Sequence, residues 1–160
     1  MKFDVAIVGA GLAGLTCAQQ LQDAGYGTIV FDKARGIGGR ATTRRLEGTF
    51  IDRGLPYLQD QGELTQTWIT RLQRVNLLQP WGEQLYTLSP NRELVASELA
   101  AGYSSTEGIN AIAKFLADGL EIRRNHRAIR LSPTAGGTWQ LDFDETPHPV
   151  RAKAIVLAIP

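Results

Sequence analysis

The chain has 160 residues, 43% of them hydrophobic and 21% charged, with a formal net charge of +1. That length buries about one domain's core, and so small a net charge excludes the global field of a nucleic-acid or anionic-membrane binder. No apolar run approaches the ~20 residues needed to span a bilayer. The single cysteine, Cys17, excludes an internal disulfide, and the Cys and His content leaves no metal cluster to build. "MKFDVAIVG" enters a strand pattern at once, without the apolar stretch and cleavage site of a signal peptide, so the cytoplasm is the expected compartment.

"DVAIVG", Asp4 to Gly9, is a continuous apolar, β-branched run, which predicts a strand covered on both faces. Leu12, Leu15, Ala18 and Leu21 then fall at helical spacing, Gly25 and Gly27 end that helix, and "TIVFD" (Thr28 to Asp32) is a second buried strand. Strand, tight turn, helix and strand make the first βαβ unit of a parallel sheet. "RRLEGTFIDRG" (Arg44 to Gly54) predicts an extended pair around Glu47-Gly48. Gly62 to Leu78 reads as a helix with Leu64, Trp68, Leu72 and Val75 on one face. "QPWGEQLYTLSP" is extended and irregular, and Thr106 to Ala117 is helical through Ile109, Ile112, Ala113 and Leu116.

The last forty residues change character. "LEIRRNHRAIRL" and "TWQLDFD" predict strands of an antiparallel meander, separated by "SPTAGG" and "ETPHP", and "KAIVLAIP" reads as a further, fully buried strand. A doubly wound domain is expected to continue past such a strand, so the sequence reads as the front of a longer protein.

Gly9-Ala10-Gly11-Leu12-Ala13-Gly14 fits G-x-G-x-x-G between a predicted strand and helix. Gly9 would make the tight turn and Gly11 would admit a pyrophosphate to the backbone. Gly14 would allow close helix–strand packing, with the helix N-terminus facing the negative charge. Asp32 ends the second strand, near the offset of the acid that accepts from a ribose 2′-hydroxyl, and an acid there disfavours a 2′-phosphate. The site predicted is a dinucleotide site, with NAD and FAD both open at this point.

The second strand then runs into "KARGIGGRATTRR" instead of a crossover helix. Gly38-Gly39 removes two successive side chains and Arg40 follows, which suits backbone lying against a ligand and a guanidinium neutralising phosphate. "VGAGLAGL", "VFDKARGIGGRATTRR" and "FIDRGLPYL" together resemble the flavin-containing amine oxidase superfamily, most of all its renalase-like branch, over roughly Val5 to Tyr57. "YSSTEGINAIAKFLADGLEIRRNHRAIRL" and "AKAIVLAIP" resemble it more weakly.

The resemblance implies an α/β, Rossmann-like FAD/NAD(P)-binding fold, with a parallel sheet and a β-meander, present only in part. Residues 1–160 would be the N-terminal FAD-binding domain, about 60–100 the start of a substrate-domain insertion, and the family's C-terminal half would be absent. The cofactor implied is FAD. Gly9 to Gly14, Asp32 and the adjoining Lys33 would hold its ADP half. Gly38, Gly39 and Arg40 would cross the pyrophosphate, and Asp52, Gly54 and Tyr57 would pass near the flavin ring. Backbone at Arg127 and Ala128 would lie against the adenine, and the closing "AIP" would return towards the flavin. Where this chain has Asp32, the family more often has Glu.

The implied activity is oxidation of a small molecule, an amine or a reduced nicotinamide-type substrate, by hydride transfer to flavin. Two other classes stay open: a non-catalytic or vestigial dinucleotide-binding module, and an NAD-dependent dehydrogenase fragment. No catalytic residue stands out, because flavin chemistry asks the protein mainly for orientation and exclusion of water. His126 and His148 stand apart from any acid in the sequence. Asp52 reads equally as a cap, Trp68 as core and Cys17 as a small buried residue. An apolar strand at Ile155 to Ile159 would allow self-association.

Overall fold

β1 (Phe3–Val8) lies at the heart of the sheet because its apolar residues alternate between two covered faces: Phe3, Val5, Ala6 and Ile7 are all buried. In the computed structural model, which describes residues 3–82, 86–96, 102–144 and 146–160, β1 leads through a tight turn into α1 (Leu12–Asp23) and β2 (Thr28–Phe31). α1 ends in a Schellman motif. Gly25 turns to φ +86, its N–H donates to the Gln22 carbonyl at 2.9 Å, and Tyr26 N–H donates to Leu21 at 3.0 Å.

β3 (Ala41–Leu46) and β4 (Thr49–Gly54) form a hairpin across Glu47 and Gly48. Both turn residues have positive φ, +48 and +83, the twist that suits a two-residue hairpin. α2 (Glu63–Arg74) follows, then the short strands β5 (Gln79–Trp81), β6 (Tyr86–Leu88), β7 (Leu94–Ala96) and β8 (Gly102–Ser104). α3 (Asn110–Ala117) leads to β9 (Ile122–Arg123), β10 (Ala128–Pro133), β11 (Trp139–Phe143) and β12 (Val150–Leu157).

The chain divides into two units, Met1–Ala41 with Ile112–Pro160, and Thr42–Ala111. The first unit is the six-stranded sheet β10-β11-β12-β1-β2-β9. β1 runs parallel to both β2 and β12, and β2 parallel to β9, while β10, β11 and β12 form the antiparallel meander. Phe3, Ala6, Ile29, Phe31, Leu141, Phe143 and Ala152 make one buried cluster on this sheet. The fold class is therefore the α/β arrangement expected. The second unit holds three two-stranded pieces, β3-β4, β5-β8 and β6-β7, together with α2.

Three expectations need correction. α2 stops at Arg74, short of Leu78, because Asn76 adopts φ +56 and closes its own Schellman motif. Asn76 N–H donates to Gln73 and Leu77 N–H to Leu72, both at 2.9 Å. Its inner face is Ile69 and Leu72, whereas Leu64 is 79% exposed and Val75 is also exposed. α3 begins at Asn110, not Thr106, since Ser105 to Gly108 is a turn with Gly108 at φ +83. β12 is not fully buried: Ala152 is, but Leu157 is 55% exposed. Of "QPWGEQLYTLSP", residues 83–85 lie outside the described residues, as do 97–100 at the end of the 60–100 stretch and 145 in "ETPHP".

Candidate functional site

The site is built at the C-terminal ends of β1 and β2, where a doubly wound sheet leaves backbone groups for ligands. Gly9 ends β1 at φ +112, a conformation that side-chain-bearing residues avoid, and its N–H donates to the Phe31 carbonyl at 2.7 Å. A Cβ at Gly9 would strike the carbonyl oxygen of Ala158, whose own N–H donates to Val8 at 2.8 Å. The closing segment after β12 thus seals the back of the first glycine turn. Gly14 comes so close to the turn that a Cβ there would land on the Gly9 carbonyl.

Gly11 is the N-cap of α1, in extended conformation, and no side chain satisfies the helix N-terminus. The first turn holds no acidic residue. Leu12 is half-buried and Ala13 exposed. The positive end of a twelve-residue helix is thus left without a side-chain cap or a first-turn acid, the arrangement that receives an anion.

The second glycine loop lies directly against the first. Gly11 and Gly38 form a parallel bridge, and Gly38 N–H donates to the Ala10 carbonyl at 2.8 Å. Gly39, at φ +58, would place a Cβ 3.1 Å from the Gly11 Cα. The two missing side chains of "GIGGR" therefore first serve loop-to-loop contact. Arg40 follows at the rim with its side chain exposed, as is Lys33.

Asp32 joins these loops. Its Oδ2 accepts from Ala10 N–H at 2.7 Å and its Oδ1 from Ala34 N–H at 2.8 Å. A third segment arrives through the backbone: Asp32 N–H donates to Arg123 at 3.0 Å, and His126 N–H donates to Asp32 at 2.8 Å. The His126 ring packs beside Phe31 and Phe143, with centroids 5.9 and 5.4 Å away. Arg127 comes next, its side chain exposed and its carbonyl accepting from Asp144 N–H at 3.0 Å. Ala128 opens β10, and the pairing slips between Ala128 and Arg130, leaving Ile129 in a bulge.

The first unit thus brings together Gly9 to Gly14, Asp32, Lys33, Gly38 to Arg40 and the Arg127–Ala128 segment. Asp52, Gly54 and Tyr57 belong to the other unit. There Asp52 Oδ1 accepts from Thr43 Oγ1 and, at 2.8 Å, from Ile109 N–H, while Thr43 Oγ1 accepts from Asn110 N–H at 3.0 Å. Asp52 caps the entry to α3. Gly54 is exposed at φ +94, and Tyr57 stacks on Trp81 at 5.0 Å between centroids and 19° between planes. Tyr57 also fills the space that a Cβ at Gly102 would need.

Sequence reasoning missed His126 as a neighbour of Asp32. The available signal was Asn125, a residue suited to the left-handed turn, which here takes φ +56 and donates its N–H to Ala34 at 3.2 Å. It also missed Thr43, whose role depends on a hairpin partner nine residues away.

Among the described residues no group of three or more His, Cys, Asp or Glu could hold a metal ion, and no helix is long and apolar enough to cross a membrane. The glycine cradle and the open helix end fit a pyrophosphate-bridged dinucleotide, and no described feature of the cradle obstructs one.

Residues 7–72 match the family described as NAD(P)-binding Rossmann-like domain. An L-amino-acid oxidase of Siganus canaliculatus is 50% identical over 52 residues, 31% of this chain and 10% of that protein. The flavin-containing amine oxidase B of Sus scrofa is 35% identical over 74 residues, 46% of this chain and 14% of that protein. Among solved structures, a wild-type putrescine oxidase bound to putrescine superposes with a TM-score of 0.75 at 14% identity. That superposition covers 100% of this chain and 58% of the oxidase. The matched segment is a small part of each curated relative, and the fold match spans little more than half of the oxidase.

Proposed function

From the premise that this chain belongs to the flavin-containing amine oxidase superfamily through a dinucleotide-binding portion, we propose that it holds the ADP half of FAD for an oxidoreductase. The observation that carries the reading is the parallel bridge between Gly11 and Gly38 at the open N-terminus of α1. It sets two side-chain-free loops beside one set of amide donors. One loop at a helix end suits many nucleotides; two interlocked loops suit a ligand with a bridging pyrophosphate.

In this reading the Gly9 to Gly14 turn and the first turn of α1 receive the pyrophosphate, and Arg40 supplies a paired hydrogen-bonding cation at its edge. Asp32 and Lys33 stand at the ribose end, and backbone at Arg127 and Ala128 flanks the adenine. Asp52, Gly54 and Tyr57 are assigned to the ring end on the resemblance alone. The chemistry FAD supplies when bound is acceptance of a hydride, from the carbon bearing an amine or from a reduced nicotinamide-type ring. This chain's residues supply binding and orientation. Residues from about 60 to 100 are proposed as the start of a substrate-domain insertion, and the cytoplasm as the compartment.

The experiment is the absorption spectrum of the purified chain before and after addition of FAD and desalting. Flavin absorbance that survives desalting, and that excess NADH fails to displace, is the expected result. Retention of NADH with no retention of FAD would replace the reading with that of a nicotinamide-binding fragment. A chain that retains FAD but never reduces it on addition of amines or reduced nicotinamides would be a binding module without turnover.

A further inference from the structure

We propose that Thr43 is a positioning residue for the flavin-ring end of the site, its hydroxyl setting the strap from Gly54 to Tyr57 through Asp52. The inference deepens the FAD reading above and rests on it, including the assignment of that strap to the ring end. All the residues concerned lie in the second unit, Thr42–Ala111.

The direction of the Thr43 hydroxyl is fixed by its neighbours. Asn110 N–H reaches Thr43 Oγ1 at 3.0 Å and can only donate, so the hydroxyl oxygen accepts there. Its own hydrogen goes to Asp52 Oδ1, because a carboxylate offers acceptors only. Asp52 Oδ1 also accepts from the N–H of the fully buried Ile109 at 2.8 Å. One hydroxyl and one carboxylate oxygen thus join β3, β4 and the entry to α3 at a single point. The fit around it is close, since a Cβ at Gly108 would strike the Thr43 side chain. Thr42 Oγ1 donates to the Arg53 carbonyl at 3.0 Å, so two successive residues of β3 hold two successive residues of β4.

Further along the chain, Leu58 is held in turn. Its N–H donates to the Tyr103 carbonyl at 2.8 Å, and its carbonyl accepts from Tyr103 N–H at 2.7 Å. β8, which carries Tyr103, runs on through the Ser105–Gly108 turn to Ile109 and Asn110. The two fastenings therefore tie the same two stretches of chain together at both ends. Between them runs the strap. Leu55, Pro56 and Tyr57 belong to no strand, and Gly54 and Pro56 are exposed. The far pin also sets Tyr57, whose ring covers Gly102 and stacks on Trp81. The near end, at Gly54, depends on the pin that Thr43 makes with Asp52. A strap fixed at both ends before the ligand arrives adds no ordering cost to binding.

Thr43→Val keeps the shape of the side chain and removes the hydroxyl, whereas Thr43→Ser keeps the hydroxyl. Calorimetric binding of ADP and of FAD to the purified chain separates the two ends, because ADP lacks the ring. T43V is expected to weaken FAD about tenfold or more and to leave ADP within about twofold. T43S is expected to restore FAD binding to within about threefold of wild type. A merely structural role would lower the melting temperature of T43V without changing the ratio of the two affinities.

Three results in the variants would overturn the inference: equal losses of ADP and FAD in T43V, no loss of FAD, or a loss that T43S shares. A wild-type chain that binds ADP and FAD equally well overturns it too, since the strap then contributes nothing at the ring. A wild-type chain that binds neither defeats the dinucleotide reading itself, and the inference with it. If T43V does not fold, the wild-type chain decides. Coupling between sites is reciprocal, so bound FAD is expected to slow amide exchange at Ile109 about tenfold more than bound ADP does. Equal protection by the two nucleotides would count against Thr43 as decisively as an unaffected variant.

Discussion

The two units of this chain hold themselves together in different ways. In the first, β1 and β2 bury nearly every side chain, and the nucleotide loops hang from a sheet whose centre is Ala6, Ile7, Ile29 and Val30. In the second, β5, β6 and β7 bury none of their residues, and Leu88, Leu94 and Trp81 stand largely in solvent. The buried apolar side chains of the second unit, Ile69, Leu72, Leu78 and Ile109, lie outside those strands, and polar caps and an aromatic contact add to them: Asp52 and Thr43 at the entry to α3, and Tyr57 on Trp81. The central strands of the first unit bury their side chains, whereas the short strands β5, β6 and β7 of the second leave theirs exposed.

Substitutions can break or sharpen that contrast. The largest effect is expected from Phe31→Ala, which removes a fully buried ring packed 4.6 Å from Phe143. It should cost about 3–5 kcal/mol in denaturant unfolding. Leu94→Ala, at a site 72% exposed, should stay within about 0.5 kcal/mol. Equal costs would erase the distinction between the units.

Next comes Gly39→Val. Its φ of +58 and its approach to the Gly11 Cα should cost about 1–3 kcal/mol and abolish flavin retention in the same preparation. Asp52→Ala leaves Ile109 N–H without its side-chain acceptor and should cost about 1–2 kcal/mol. That variant should also speed amide exchange at Ile109, with Ala10 unaffected.

The smallest effect is expected at the pair formed by Lys153 Nζ and Asp4 Oδ1, 2.7 Å apart. The lysine hydrogen bond first, and then the Gly27 N–H, hold the Asp4 carboxyl below the usual carboxylate value, and Asp4 in turn raises Lys153. A lowered carboxyl favours folding above its unfolded value and loses that contribution as pH falls through the folded one. A raised lysine favours folding below its unfolded value and loses that contribution as pH climbs through the folded one. Asp4→Asn should therefore flatten both limbs of the stability profile slightly, the acid limb through Asp4 and the alkaline limb through Lys153. An exposed pair of this kind is screened, so added salt should produce a similar flattening.

The difference between the units also decides how much could be read from the sequence. β1, the glycine turn, α1 and β2 were legible because each carries its signal within a few residues. The Glu47-Gly48 hairpin, the buried α3 face of Ile112, Ala113 and Leu116, and the buried Ile109 just before it were legible for the same reason. α2 was misjudged at Leu64 and Val75, since helical spacing marks a possible face without telling what covers it. The neighbours of Gly38 and Asp32 were hidden more deeply. Glycines opposite a ligand and glycines opposite another loop look alike in sequence. Only the folded backbone separates them.

One consequence of the sheet order concerns the chain while it is still being made. β1 lies between β2, which follows it almost at once, and β12, which pairs with it from the far end of the sequence. During synthesis the helix and second strand can assemble on β1 early, yet its other edge stays open until β12 emerges. Pairing across so long a separation is slow to form, and an open edge bearing Val5, Ala6 and Ile7 invites association with other nascent chains. Folding yield should therefore depend on how quickly β12 arrives, and a stop before Val150 should produce aggregates instead of a smaller folded body.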